Sequence, residues 1–264
     1  MAGTVAGYTV NSVVLNAAVE GPAGAPAFVF SNSLGTDFRV WDPLLPHLPS
    51  DWRRLRYDKR GHGLSALPDT PWTIEDLADD LDALMDTASI DSAVIVGLSV
   101  GGLIAQSLAV RHPARVRALV LCDTAARIGT DEMWNDRIAA IEEGGLAAQA
   151  DAIMTRWFTE GFRADLARLE PWRNMMLRTP AEGYIATCRA IRDADYREAA
   201  SHLAVPSLAV CGEADGSTPP ALVRQTAALI PGCRFELIAD AGHIPCVEQP
   251  EVLGALISDF VSAL

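Results

Sequence analysis

Ser99 stands between two glycines in Gly97-Leu98-Ser99-Val100-Gly101, directly after the apolar run Ala93-Val94-Ile95-Val96. A helix-like stretch, Gly102 to Val110, follows it. A buried strand that turns into a helix through a serine lifts the hydroxyl above the sheet, where it can attack a carbonyl. Side chains two residues before and after would collide in so tight a turn, so glycine is needed at both places. The Gly-x-Ser-x-Gly string by itself is common. Its weight comes from the strand before it and the helix after it.

A serine hydroxyl needs a base, and the base needs a group to orient it. On this kind of sheet the partners follow in the order acid, then histidine. Asp215, in Gly212-Glu213-Ala214-Asp215, comes after the apolar Ser207-Leu208-Ala209-Val210-Cys211. His243, in Asp240-Ala241-Gly242-His243, comes after Phe235-Glu236-Leu237-Ile238. Both lie past the carboxyl end of a strand, where open α/β sheets collect their active-site groups. The reading is Ser99 as nucleophile, His243 as general base and Asp215 as the orienting acid. Asp240 is too near His243 in sequence to reach it from another strand, while Glu213 stays open as the acid. His47, His112 and His202 read as structural, and His62, in Arg60-Gly61-His62-Gly63, as a loop histidine packed under the site.

A tetrahedral intermediate also needs N–H donors aimed at its oxyanion. One comes from the residue after the nucleophile, here Val100, and the other from the loop after the third core strand. That loop is Ser31-Asn32-Ser33-Leu34-Gly35, after Phe28-Val29-Phe30, which assigns the Leu34 amide.

The elements that must hold these groups are legible as strands and helices in alternation. Val13-Val14-Leu15, Phe28 to Phe30, Leu55-Arg56-Tyr57, Ala93 to Val96 and Ala118 to Leu121 read as strands. Thr73-Ile74-Glu75-Asp76 reads as a capping box before a helix with Leu77, Leu81, Leu84 and Met85 on one face. Such alternation implies a mostly parallel sheet flanked by helices. After Asp123 the rhythm changes to helical patterns alone: Met133 to Ile141, Leu146 to Phe158, Leu166 to Leu177 and Glu182 to Ile191. The strand pattern resumes at Leu203-Ala204-Val205-Pro206. The expected organisation is an α/β core of residues 1–123 and 198–264, with an all-helical lid of residues 124–197 inserted over the catalytic groups.

Composition narrows the field. At 264 residues, half of them hydrophobic, the chain can bury one large core. No apolar stretch approaches the ~20 residues that span a bilayer. Met1-Ala2-Gly3-Thr4 has neither a basic region nor a long apolar segment, so the cytoplasm is the expected compartment. A net charge of −13 argues against nucleic acid and anionic membranes as partners. It also means that an anionic substrate would need arginines concentrated locally. The five cysteines form no CxxC pair and suggest neither zinc nor disulfides. Phosphate-loop, dinucleotide and HExxH signatures are missing, so no cofactor and no metal are expected.

Several stretches resemble the 3-oxoadipate enol-lactonases of the α/β-hydrolase fold. They are Ser31 to Gly35 with Trp41-Asp42-Pro43, Tyr57 to Gly63, Gly97 to Gly102 and Val247 to Glu251. More specific are two segments of the helical insertion, Met133 to Arg137 and Gly183 to Asp193. Val100 stands where that family often has methionine, but only its amide is needed. The resemblance implies opening of an anionic small-molecule lactone, 3-oxoadipate enol-lactone, to 3-oxoadipate. A free carboxylate on such a substrate calls for an arginine, and Arg137 beside Trp134 is the candidate, with Arg189 and Arg192 as rivals. A perhydrolase or broad carboxylesterase of the same fold would share the triad without that arginine. A non-catalytic ligand receptor that keeps the fold is a different class, and an intact triad and oxyanion loop speak against it. A homo-oligomer is compatible with each reading.

Overall fold

The computed structural model describes residues 4–69 and 71–264, so Met1–Gly3 and the leader expectation drawn from them lie outside the described residues. The continuous apolar runs form the middle of the sheet. Strands β5 (Ala93–Leu98), β6 (Val116–Cys122) and β7 (Ser207–Gly212) are buried almost without interruption, as strands covered on both faces must be. Around them lie β1 (Thr4–Val10), β2 (Val13–Glu20), β3 (Ala27–Ser31), β4 (Arg53–Tyr57) and β8 (Arg234–Ile238). The eight-stranded sheet has the order β1-β2-β4-β3-β5-β6-β7-β8. The β1/β2 and β2/β4 pairs are antiparallel and every other pair is parallel.

Two local features differ from the sequence reading. Strand β1 differs from that reading: Val5, Gly7 and Thr9 are exposed and it pairs only with β2. The segment from Leu203 to Pro206 is loop, and β7 begins at Ser207.

Helix α1 (Ile74–Thr87) starts with the expected box: Thr73 Oγ1 accepts from Asp76 N at 3.2 Å, and Thr73 N donates to Asp76 Oδ2 at 2.8 Å. Leu77, Leu81, Leu84 and Met85 are all buried. Helix α2 (Val100–Arg111) packs against β5 and β6, and α8 (Pro220–Leu229) against β7 and β8. Two further helices, α9 (Pro245–Glu248) and α10 (Pro250–Ser262), close the chain.

Between β6 and β7 lie α3 (Asp131–Trp157), α4 (Glu160–Ala164), α5 (Leu166–Leu177), α6 (Ala181–Asp193) and α7 (Arg197–Ala200). Helix α3 is broken at Gly145, where φ is 71° and ψ 173°, so it is two helices end to end. It packs on α5 and α6. Among the described residues no helix is long and apolar enough to cross a membrane.

The turn from β5 into α2 is the tightest approach in the sheet. A Cβ on Gly97 would land on the Gly101 carbonyl, and one on Gly101 would land on the Ser31 carbonyl at the end of β3. Neither obstacle is a flexible side-chain tip. Gly101→Ala should therefore cost about 3 kcal/mol or more, a fall in melting temperature of roughly 6–12 °C. Gly161→Ala, whose added Cβ meets nothing within 4 Å, should leave that temperature level or raise it. Calorimetry on both variants checks the contrast.

Candidate active site

Ser99 occupies the turn with φ 56° and ψ −118°, a conformation that L side chains rarely adopt. The strain is held by hydrogen bonds on both sides. Ser99 N donates to Cys122 O at 3.0 Å, and Ser99 O accepts from Gly102 N at 2.8 Å and from Thr124 Oγ1 at 2.6 Å. Its neighbours in space are the groups named from sequence. Ser99, His243, Leu34, Trp134 and Arg137 line one small cavity of about 70 Å³.

The loop after β7 brings Asp215 to His243. His243 Nδ1 lies 3.0 Å from both Asp215 oxygens. Asp215 Oδ1 also accepts from Ser217 N at 2.7 Å and Thr218 N at 3.0 Å, and Oδ2 accepts from Thr218 Oγ1 at 2.6 Å. Burial pushes the Asp215 carboxyl up, but His243 and these donors outweigh it and hold the group below the ordinary carboxylate range. The alternative acids are elsewhere: Glu213 and Asp240 are exposed and neither touches the imidazole. Ser99 and His243 share the cavity without a direct hydrogen bond among the described residues. That contact commonly tightens only with substrate in place.

A second carboxyl lies behind the first. Asp123, fully buried at the end of β6 with φ 47°, accepts from Gly212 N at 2.8 Å through Oδ1, while Oδ2 has no partner. Burial, then the negative charge of Asp215, push its carboxyl well up. Asp123, Cys211 and Asp215 offer ligand-type atoms within 4.8 Å of one another. Both Asp215 oxygens already receive protons from neighbouring donors, while burial favours the neutral form of the Asp123 carboxyl.

The helical insertion grips the site through its backbone. Trp157 O accepts from His243 N at 2.8 Å, and Arg156 O accepts from Gly216 N at 3.3 Å. Glu248 completes the link. Its Oε2 takes Gly242 N at 2.6 Å, and its Oε1 takes Thr159 N at 3.0 Å and Thr159 Oγ1 at 2.7 Å. Sequence reasoning gave Glu248 no role, since a glutamate before Gln249-Pro250 carries no spacing signal of its own.

Two guanidinium groups face the cavity where one was expected. Arg137 stacks over the Trp134 ring at 4.6 Å from its centroid, and the Trp134 indole N–H donates to Ile128 O at 2.6 Å. Arg156, which the sequence reading missed, lines the same space. Burial, and then the neighbouring Arg137, lower its pKa. Neither pairs with a carboxylate among the described residues. The rivals lie outside the cavity: Arg189 pairs with Glu142 at 3.0 Å and Arg192 with Asp193 at 2.7 Å. His62 is fully buried and does not line the cavity.

The profile of the α/β-hydrolase fold matches residues 26–250. A 3-oxoadipate enol-lactonase of Acinetobacter baylyi is 37% identical, over 95% of this chain and 94% of its own. The chain belongs to the α/β-hydrolase family, and within it to the enol-lactonases. The crystal structure of an enol-lactonase from Burkholderia xenovorans superposes with a TM-score of 0.94 at 40% identity, covering 97% of this chain and 100% of that one. A pimeloyl-[acyl-carrier protein] methyl ester esterase of Neisseria meningitidis is 32% identical over 87% of this chain and 75% of its own. The kinship makes the protein a carboxylic ester hydrolase.

The two buried acids should respond oppositely to the same change. Asparagine at 123 mimics a protonated carboxyl, so Asp123→Asn should keep kcat within about threefold. Asp215→Asn removes the charge that orients the imidazole and should lower kcat by about 10⁴. Steady-state ester hydrolysis at neutral pH separates them, and equal losses would place the ionised acid elsewhere.

Proposed function

We propose that this protein hydrolyses 3-oxoadipate enol-lactone to 3-oxoadipate in the breakdown of aromatic compounds, with Ser99 as nucleophile, His243 as base and Asp215 as its orienting acid. The carrying observation is that Arg137 and Arg156, both without a carboxylate partner, line the cavity that holds Ser99 and His243. Half-buried guanidinium groups left unpaired in so acidic a chain (net charge −13) are matched by an anionic substrate. The names of the relatives supply which anion.

In this reading the substrate carboxylate meets the two arginines and its ring carbonyl reaches Ser99. His243 takes the Ser99 proton as Oγ adds to the carbonyl, and the Leu34 and Val100 amides receive the negative oxygen. Neither N–H has a hydrogen-bond partner among the described residues, so both are available. Collapse of the intermediate breaks the ring C–O bond, and the leaving oxygen departs as an enolate that remains part of the acyl chain. Its stability means that little acid assistance is needed. The enolate takes the proton from His243 and becomes the enol, so the neutral imidazole can deprotonate the water that adds to the acyl carbonyl. Collapse returns that proton to Ser99 Oγ and frees the product. The freed enol ketonises, which pulls the reaction to completion.

Turnover of the purified protein on the enol-lactone should exceed that on p-nitrophenyl acetate; preference for the simple ester would sink the assignment. Ser99→Ala should lower kcat by about 10⁶ with an unchanged melting curve. Arg137→Ala and Arg156→Ala should each raise KM for the lactone at least tenfold and leave KM for the neutral acetate nearly level. Equal effects on both substrates would make the arginines structural.

A further inference from the structure

Lys59 is the anomaly of the chain: a lysine 2% exposed, in the loop after β4, with no carboxylate paired to it among the described residues. Lysines are almost never buried without a partner, because the ammonium loses its hydration. Here Nζ donates to Ser33 O at 2.6 Å and to Asn32 O at 3.3 Å. Ser33 O also accepts from Thr36 Oγ1 at 2.9 Å. The Ser33 carbonyl belongs to the same peptide unit as the Leu34 N–H. In a trans peptide the C=O and N–H point in opposite directions. With the carbonyl turned to Lys59, the N–H is turned away from it, and both Ser33 and Leu34 line the cavity.

We infer that Lys59 is a positioning residue for acyl transfer: its ammonium fixes and polarises the Ser33–Leu34 peptide, whose N–H receives the oxyanion. A charge-assisted bond of 2.6 Å at one end of a peptide strengthens the donor at the other, because hydrogen bonds in series polarise one another. The inference rests on the hydrolytic reading of Ser99 but not on the identity of the lactone.

The surroundings give the device a pH sense. The charged or titratable groups around Nζ are Asp58 and Asp37, which favour the ammonium, and His62, whose imidazole burial and Lys59 together push well down. Burial dominates and pulls Lys59 down from 10.5 to about 7. The charged anchor is therefore present at lower pH and lost as pH rises through about 7. Its stability effect has the opposite sense. Between about 7 and 10.5 the unfolded chain holds a proton that the folded one has released, so folding gains stability with rising pH in that window. Below it, the buried ammonium costs stability.

The test uses p-nitrophenyl acetate with wild type, Lys59→Met and Lys59→Gln. Methionine fills the volume without donor or charge. It should lower kcat about tenfold, against the ~10²–10³ expected when an oxyanion donor is lost outright, with KM nearly level. The alkaline fall in kcat, present in wild type, should be absent from Lys59→Met. Its melting temperature at pH 6 should equal or exceed that of wild type. Lys59→Gln keeps a donor without the charge, should recover part of kcat, and carries the test if the methionine variant does not fold. Unchanged kcat, an unchanged alkaline limb, or kcat and melting temperature falling together would overturn the inference. Because acetate is the probe, failure of the lactone assignment would leave this outcome readable.

Discussion

A hydroxyl can stand clear of a parallel sheet only where the backbone leaves a strand, passes through positive φ and enters a helix without room for a Cβ on either side. Ser99 meets that condition, and the glycine contacts show what else depends on it. Gly101 lies against the Ser31 carbonyl, the point where β3 ends and the Leu34 loop begins. The distance between Ser99 and the Leu34 loop is thus set by a contact that tolerates no side chain. A shift there would move Ser99, Val100 and Leu34 together. Position of the Ser99 oxygen and position of the Leu34 and Val100 amides are one constraint, not two.

The acid–base side is fixed differently, by polar groups that reach across elements. The loops of Asp215 and His243 are short extensions of β7 and β8, and either could drift without external ties. The ties come from the end of α3 and from Glu248, which hold Gly216, Gly242 and His243 by main-chain atoms. The helical insertion therefore aligns the triad candidates as well as roofing them. It also carries Arg137 and Arg156, so these two cavity-lining arginines and the backbone tie to His243 share one helix pair, joined at Gly145. A change in the angle at that glycine would alter both.

Most of the sheet was legible because buried parallel strands read as unbroken apolar runs. Ser99, Asp215 and His243 were legible because strand ends are the places where α/β sheets present chemistry. Strand β1 escaped because its outward face carries Val5 while its inward face carries Ala6, so residue type does not report the face on this edge strand. Arg156 escaped because the part of α3 beyond Gly145 carries no motif, and only the path of the chain brings it back beside Arg137. Arg189 and Arg192 looked equivalent in sequence; on α6 their neighbours Tyr184, Cys188 and Ile191 take the buried positions, leaving these two arginines to surface carboxylates. Asp123 and Lys59 were invisible for another reason. Sequence gives the residue type, but their meaning lies in being buried with few partners.

Burial of an ionisable side chain is common to the groups around the site. Asp123 has one buried oxygen without a donor, Lys59 has an ammonium held only by carbonyls, and Glu248 has its carboxyl pushed up by burial while three donors pull it back. Each would destabilise an ordinary core, and burying such groups unpaired is unfavourable by several kcal/mol in general. Each is also attached to a main-chain segment at the candidate site: Gly212 ahead of the Asp215 turn, Ser33 before the Leu34 amide, Gly242 before His243. The fold accepts unfavourable burial where backbone position must not vary, a local departure from the stability rules that the apolar strands beneath can offset. Replacing such a group with an apolar side chain should therefore loosen chemistry before it loosens the fold, the reverse of what a packing residue does.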